Sequence, residues 1–109
     1  MNRALPVVVE PRLDLKAPDV TDAVAAASLL TDPTRAAILR MLRDGPHCVC
    51  EFAATLDERE NNVSNHLAKL RDAGLVRASR HEANARFLYY ELNEAAVEKA
   101  RVALREVLG

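Results

Sequence analysis

Residues 59–76 (RENNVSNHLAKLRDAGLV) combine an apolar helical face with a face rich in side-chain amides. The apolar face has the i, i+4, i+7 spacing of one side of a helix, and its members are Val63, Leu67 and Leu70. At about 100° per residue, Asn65 lies almost opposite this face, with Asn61 and Asn62 on either side of it. Asparagine is a poor helix former, so an exposed face rich in it lowers the stability of the helix. These asparagines therefore need an explanation other than helix stability.

The chemistry of this amide face suits DNA bases. A side-chain amide both donates and accepts hydrogen bonds, and the major-groove edge of adenine offers one donor and one acceptor. We therefore predict a DNA recognition helix, with Ser64, His66 and Lys69 on or beside the same face. The alternatives are that the asparagines only cap and fray the start of the helix, and that His66 packs half-buried beneath it.

Basic residues are concentrated near this helix, although the whole chain carries a net charge of −1. Residues 59–90 contain three acidic groups and six basic ones, namely Arg59, Lys69, Arg71, Arg77, Arg80 and Arg86. Residues 1–58 contain nine acidic and six basic groups. A modest positive surplus thus lies where phosphate contacts are expected, which supports DNA binding but is also compatible with an ordinary solvated face.

The chain begins with an arm that differs from the rest. Residues 1–18 contain three prolines and no helical period, so they predict an extended or disordered arm before a domain over residues 19–109. A first helix is predicted to begin at an Asp19 or Thr21 cap and to run to about Leu30. Its apolar side consists of Val20, Val24, Ala27 and Leu30.

Two further helices are predicted before the recognition helix. Asp32 suits the N-cap of the second, with Pro33 in its first turn, where the missing N–H costs nothing. Residues 48–56 predict a short third helix, and Asp57 a turn into the recognition helix. The residues expected to face inward are Ile38, Met41, Leu42, Val49, Phe52 and Leu56.

Residues 77–91 predict two short strands and therefore a hairpin after the helix-turn-helix, which is a wing. Arg80, His81 and Arg86 near its tip would lie along the phosphate backbone or enter a minor groove. A hairpin that only shields the core is the alternative. Asn93 then caps a last helix. The predicted fold is mainly α with a small β-hairpin: a winged helix-turn-helix of about five helices and a two-stranded wing.

Length and composition favour a dimer. A chain of 109 residues allows one small domain with a marginal core. Its terminal helices carry small and branched apolar residues that one such chain can hardly cover alone, and a two-fold dimer would place two recognition helices about one DNA turn apart. The alternative is a monomer whose terminal helices pack on each other.

Other features bear on the compartment. No apolar run approaches the roughly 20 residues of a membrane span, and the N-terminus lacks the apolar segment of an export signal. Cys48 and Cys50, two positions apart, are not expected to form a strain-free disulfide with each other. We therefore expect a protein of the reducing cytoplasm.

Several motifs together resemble the ArsR/SmtB family of bacterial metal-sensing transcription factors, and the resemblance covers residues 20–108. The motifs are Leu30-Thr31-Asp32-Pro33-Thr34-Arg35, His47-Cys48-Val49-Cys50-Glu51, Val63-Ser64-Asn65-His66-Leu67 with Leu70, and Gly74-Leu75-Val76. The resemblance implies a homodimer joined through its first and last helices, bound to an imperfect inverted repeat of operator DNA. It also implies that the DNA complex dissociates when an inducer binds.

Cys48 and Cys50 match the Cys-Val-Cys run that supplies thiolates in arsenic-, cadmium- and lead-responsive members, and soft thiolates select soft ions. The match is incomplete, because Ala53 stands where arsenic-responsive members have a third cysteine, and residues 1–47 contain no cysteine. His47 is the candidate for completing the set with a ligand from the other subunit or water. The family's second site, on the last helix, lacks its Asp and His ligands here: Glu94, Ala96 and Val107 stand at the matching positions.

Three interpretations of the signal stay open. The first is a soft metal or metalloid such as arsenite, antimonite, cadmium or lead. The second is oxidation of Cys48 and Cys50, with an intersubunit or mixed disulfide. The third is a regulator without a complete metal site, controlled by a partner protein or by a weak oxygen and nitrogen site, including one for nickel. Repression and activation are not distinguished by the sequence.

An enzyme is not predicted. Cys48 with His47 or His66 is the one pairing that resembles an activated nucleophile. A helical domain of this length leaves little room for a substrate cleft, and the three glycines form no phosphate-binding loop. A winged helix that binds another protein is the better alternative to DNA binding.

Overall fold

The chain forms five helices and a small antiparallel sheet in a computed structural model that describes residues 14–80 and 87–109. The elements in chain order are α1 (Pro18–Leu29), α2 (Pro33–Leu42), β1 (His47–Cys48), α3 (Val49–Leu56), α4 (Glu60–Asp72), β2 (Val76–Arg80), β3 (Leu88–Leu92) and α5 (Glu94–Leu108). The predicted winged helix-turn-helix is confirmed. Across these two described stretches, no helix has the length and apolar character needed to cross a membrane.

The starts of α1 and α2 differ in how they are capped. Asp32 caps α2 as predicted, with Oδ1 accepting the backbone N–H groups of Thr34 at 2.8 Å and Arg35 at 3.1 Å. The predicted Asp19 or Thr21 cap of α1 is wrong, because the N-cap is Ala17 and the helix begins at Pro18. Proline fits the first helical position, since its φ is already helical and its missing N–H would have no partner there.

The turn between α3 and α4 is tight. Asp57 follows α3 in the left-handed region, at φ 53°, and its backbone N–H donates to the carbonyl of Ala53. Aspartate tolerates this conformation better than most residues. Arg59 then precedes α4 with extended backbone. The predicted turn at Asp57 is therefore confirmed, and it sets the angle at which α4 leaves α3.

The sheet has the strand order β1-β3-β2, with both pairs antiparallel. In the wing, β2 and β3 pair from Val76 opposite Leu92 to Arg80 opposite Leu88. The third strand, β1, was not predicted, because two residues are too few to show a strand period. Residues 81–86, which include His81 and Arg86 of the predicted wing tip, lie outside the described part of the chain.

The core lies where α2, α3 and α4 meet above the sheet. Five side chains in it have no exposed surface, namely Ile38, Phe52, Val63, Leu67 and Leu70. Leu42, Leu75, Val76 and Tyr90 complete the buried cluster. The predicted inward faces of α2 to α4 are thus confirmed at their centres.

Helix α1 packs on α5 through small residues. Ala23 and Ala26 of α1 and Ala103 of α5 are buried. The predicted apolar side of α1 lies largely outside this contact, because Val24 and Leu30 are 63% and 46% exposed. The single chain therefore leaves an apolar surface on its terminal helices.

Asp32 makes the stability of the fold depend on pH. The backbone hydrogen bond from Arg35 holds the pKa of the Asp32 carboxyl below its ordinary 3.8, with His66 acting in the same direction. Because the pKa of Asp32 is lower in the folded state, its ionised carboxylate stabilises the fold at pH values above the ordinary pKa. This stabilisation is lost as the pH falls through the lowered pKa. We expect Asp32→Ala to lower the free energy of unfolding at neutral pH, and the deficit to shrink in acid.

The matched control is Asp32→Asn, which keeps a good N-cap but cannot ionise. Urea unfolding across a pH series should place it close to the wild type at neutral pH. A deficit of Asp32→Ala that stays constant into strong acid would contradict this account.

Candidate nucleic-acid interface

The outward side of α4 is a polar surface of uncharged side chains and one lysine, which we call the reading face. Its members are Asn61, Ser64, Asn65 and Lys69, all of which are exposed. They lie on the opposite side of α4 from its three buried residues, as the sequence predicts. The reading face therefore offers amide and hydroxyl groups to any molecule that docks along α4.

Asn62 lies at the edge of this face and is already bonded. It is half-buried, and its Nδ2 donates to Oε2 of Glu58 at 2.9 Å. The other oxygen of Glu58, Oε1, accepts from the Thr34 hydroxyl at 3.4 Å. Part of the hydrogen-bonding capacity of Asn62 thus holds α4 against the start of α2.

His66 is turned inward rather than toward the reading face. Its side chain is 13% exposed, and Nε2 lies 3.7 Å from Oδ1 of Asp32. Its Nδ1 lies 3.4 Å from Nη1 of Arg35. This geometry matches the half-buried interpretation of His66 and leaves it poorly placed for a direct contact with DNA.

Asp32 and Arg35 were not predicted as partners of His66. Both stand in the Leu30–Arg35 motif, where the sequence indicates only a helix cap. Arg35 and His66 are 31 residues apart along the chain, so no helical or strand period in the sequence indicates their contact.

In the wing, two arginines differ in their surroundings. Arg77 lies opposite Glu91 in the strand register, and its Nε donates to Glu91 Oε1 at 2.9 Å. Arg80 is exposed at the last residue of β2, beside the undescribed tip. The positive charge at the base of the wing is therefore partly neutralised, and Arg80 is the basic residue nearest to the tip that the structure describes.

Cys48 and Cys50 are joined to each other by a disulfide. Their spacing alone predicts no strain-free disulfide between them, and the structure nevertheless pairs the two residues. Cys48 ends the extended strand and Cys50 lies in the first turn of α3, so the change of backbone direction brings their Cα atoms to 5.5 Å, an ordinary disulfide separation. Cys48 is buried and Cys50 is exposed.

His47 does not join the two cysteines. Its Nδ1 donates to the carbonyl of Gly45 at 2.7 Å, and its ring lies 5.4 Å from that of Phe52. Among residues 14–80 and 87–109, no three His, Cys, Asp or Glu side chains converge as a group that could hold a metal ion. The structure thus brings together two of the three predicted ligands.

A second surface lies at the terminal helices. Between α2 and α5 runs an apolar groove of about 490 Å³, whose lining includes Leu30, Leu39, Val97 and Leu104. Beside it, Val102 and Val107 of α5 are 41% and 56% exposed. Together with Val24, these residues place several of the large exposed apolar side chains of the described chain on α1 and α5.

The chain is similar to known transcriptional regulators. A family model described as bacterial regulatory protein, arsR family, matches residues 32–78. The arsenic resistance transcriptional regulator ArsR1 of Pseudomonas putida is 34% identical over 80 residues, which are 72% of this chain and 60% of that protein. The transcriptional regulator CmtR of Mycobacterium bovis is 50% identical over 50 residues, 46% of this chain and 42% of that one. The chain therefore spans about half the length of these two relatives.

A solved structure extends the match over the fold. The transcriptional regulator HlyU of Vibrio vulnificus superposes with a TM-score of 0.63 and 30% identity, covering 75% of this chain and 83% of that one. The matched family segment runs from the α2 cap through the helix-turn-helix into β2, which is the part that positions the reading face. Sequence and architecture agree, and the chain belongs to the ArsR/SmtB family of winged-helix regulators.

Proposed function

We propose that this protein is a transcriptional regulator that inserts α4 into the major groove of operator DNA. The observation that carries the proposal is the reading face, in which Asn61 and Asn65 are exposed while the opposite side of α4 is fully buried. A bidentate amide contact to adenine supplies about 1–3 kcal/mol of discrimination between bases. The regulators named among its relatives support the same function.

Other side chains would position the protein on the duplex. Lys69 lies on the reading face and Arg80 at the end of β2 next to the wing tip, where cations would meet phosphates without reading sequence. Arg86 is proposed as a further wing contact from its place in the sequence. Asn62 contributes to the interface chiefly by holding α4 through Glu58, and His66 by its contacts with α2.

The apolar surface of α1 and α5 supports a homodimer. Val24, Leu30 and Val107 leave much of their surface in water in the single chain, and exposed apolar surface concentrated on two helices supports an interaction site there. A second copy offers an identical surface, so a two-fold contact would cover both. The dimer would then present two copies of α4 to an inverted repeat, about 34 Å apart.

We further propose that a soft metal or metalloid controls DNA binding through Cys48 and Cys50. The structure places these two sulfurs side by side, which fits two positions of a thiolate site once the disulfide is reduced. Because His47 donates from Nδ1 to Gly45, its Nε2 is left as the nitrogen that can bind a metal. Relatives named for arsenic resistance favour arsenite over nickel or a partner protein as the signal.

Thiol oxidation is the second candidate for the signal. The disulfide between Cys48 and Cys50 favours it, because forming and breaking this bond would alter the junction of β1 with α3. The two candidates use the same residues and exclude each other in one protein molecule, since an oxidised pair cannot bind a metal as thiolates.

Removing the amide of Asn65 tests the reading face. Asn65→Ala should weaken binding to the preferred operator by about 1–3 kcal/mol, since a base contact is lost. Binding to random duplex should change little, and thermal stability should not fall, because Asn65 is exposed and alanine is the better helix former. Fluorescence anisotropy on both duplexes measures the effect, and operator binding equal to that of the wild type would count against the reading face.

Placing a charge on the terminal helices tests the dimer. Val24→Asp should convert the protein to a monomer, because the carboxylate would be buried without a partner at the contact. Thr55→Asp on α3 controls for the added charge, since Thr55 is exposed on another element. Sedimentation equilibrium gives the mass of each variant, and a dimeric Val24→Asp protein would exclude this interface.

Titration of the reduced protein tests the signal. Arsenite, cadmium, lead, zinc and nickel are added separately, and thiolate charge-transfer absorbance and operator release are followed. We expect the soft ions to release DNA, and the double variant Cys48→Ser/Cys50→Ser to stay bound. A normal response by that variant would end the thiolate hypothesis. Operator release on oxidation alone, without metal, would assign the signal to the disulfide.

A further inference from the structure

Arg35 connects three helices through one guanidinium group. Its Nε donates to the carbonyl of Leu29 at 2.9 Å, and its Nη2 donates to the carbonyl of Ser28 at 3.3 Å. Both carbonyls belong to the last turn of α1, where the helix dipole favours a cation. The Ser28 carbonyl also accepts from the Thr31 hydroxyl at 2.7 Å. The remaining nitrogen, Nη1, faces Nδ1 of His66 on α4 at 3.4 Å. Arg35 itself lies in the first turn of α2.

The contact with Arg35 fixes the hydrogen-bonding state of His66. A guanidinium only donates, so Nδ1 of His66 must accept and carry no proton. The ring proton then lies on Nε2, which faces the carboxylate of Asp32 at 3.7 Å. Each side of the imidazole thus meets a group of the complementary kind at the start of α2.

A second polar link joins the same two helices. Glu58 accepts from the hydroxyl of Thr34 on α2 and from the amide of Asn62 on α4. The contacts through His66 and Asn62 therefore tie two neighbouring turns of α4 to the first turn of α2. Both links lie on the side of α4 that is next to the reading face.

Apolar burial alone leaves the angle of α4 against its neighbouring helices loosely set. The contacts of Val63, Leu67 and Leu70 hold α4 against the core, but hydrophobic attraction has no preferred direction. Hydrogen bonds, in contrast, have a preferred direction. The bonds of Arg35 run from the last turn of α1 to the middle of α4, so they relate the reading face to the helix that carries the proposed dimer surface.

We propose that Arg35 and His66 are positioning residues that fix the angle between α4 and α1, and thereby the spacing of half-sites that the dimer accepts. The inference rests on the proposed function, because it concerns how the same DNA interface is held. Neither residue touches DNA in this account. Arg35 acts through His66, and His66 acts through the orientation of α4.

The test uses the full-length dimer and the operator that the wild type prefers, with the spacer between half-sites at its natural length and one base pair longer or shorter. Arg35→Lys keeps the charge but lacks the planar guanidinium, whose separate nitrogens reach three acceptors in different directions. His66→Leu removes the acceptor. Both should bind the natural operator about tenfold more weakly, as expected when hydrogen bonds to a charged group are lost. Both should also discriminate less between the three spacings.

Two further variants sharpen the result. His66→Asn keeps an acceptor close to the position of Nδ1, so it should restore part of the spacing preference that His66→Leu loses. Arg40→Lys is the matched control, because Arg40 is an exposed arginine of α2 whose partner, Asp44, lies in the turn that follows the same helix. It should behave as the wild type does.

The measurements separate positioning from other roles. Removing a residue that contacts phosphate would reduce the slope of log K against log salt concentration by about one. These variants should leave that slope unchanged. A role in folding alone would lower the unfolding midpoint and leave the spacing preference of the folded dimer intact. Either of these outcomes overturns the proposal, as does unchanged operator binding by Arg35→Lys and His66→Leu.

One further measurement uses the wild-type protein, so its result does not depend on whether a variant folds. Nitrogen NMR of the His66 ring at neutral pH should show an unprotonated Nδ1 and a protonated Nε2. The opposite tautomer would overturn the proposed link to Arg35. If the wild type itself prefers no duplex over random DNA, the proposed function has failed, and that outcome is distinct from failure of the positioning role.

Discussion

The burial of one face of α4 is the constraint on which the rest of the structure depends. Val63, Leu67 and Leu70 are fully enclosed with Ile38 and Phe52 from the two preceding helices. Once these side chains are buried, the helical period leaves the amides no position except the outside. The polar reading face is therefore a consequence of packing on the opposite side, and the core and the reading face share one helix.

Packing does not by itself orient that helix against its neighbours. The first turn of α2 does so with polar groups, since it offers a carboxylate cap, a hydroxyl and a guanidinium within reach of α4. The same turn binds the end of α1 through Arg35. One short segment thus joins the helix with the exposed apolar surface to the helix with the exposed amides.

The cysteine pair lies at the start of the helix-turn-helix, where β1 meets α3. Cys48 closes the short strand beside β3 and precedes α3, so any change at its sulfur acts on the element that supports α4. Glu51 strengthens this junction by accepting the backbone N–H of Cys48 at 2.8 Å. Chemistry at the two sulfurs and contacts on α4 are therefore linked by one eight-residue helix.

The order of the elements, the buried faces of α2 to α4 and the outward asparagines follow from the sequence by itself. They depend on helical and strand periods and on local signals such as the Asp32 cap and the turn at Asp57, which neighbouring residues carry. The strand at His47, the disulfide from Cys48 and the inward turn of His66 were decided only by the tertiary structure. Each depends on groups that folding brings together from distant positions, as with Arg35 and His66, or on a change of backbone direction that no period records.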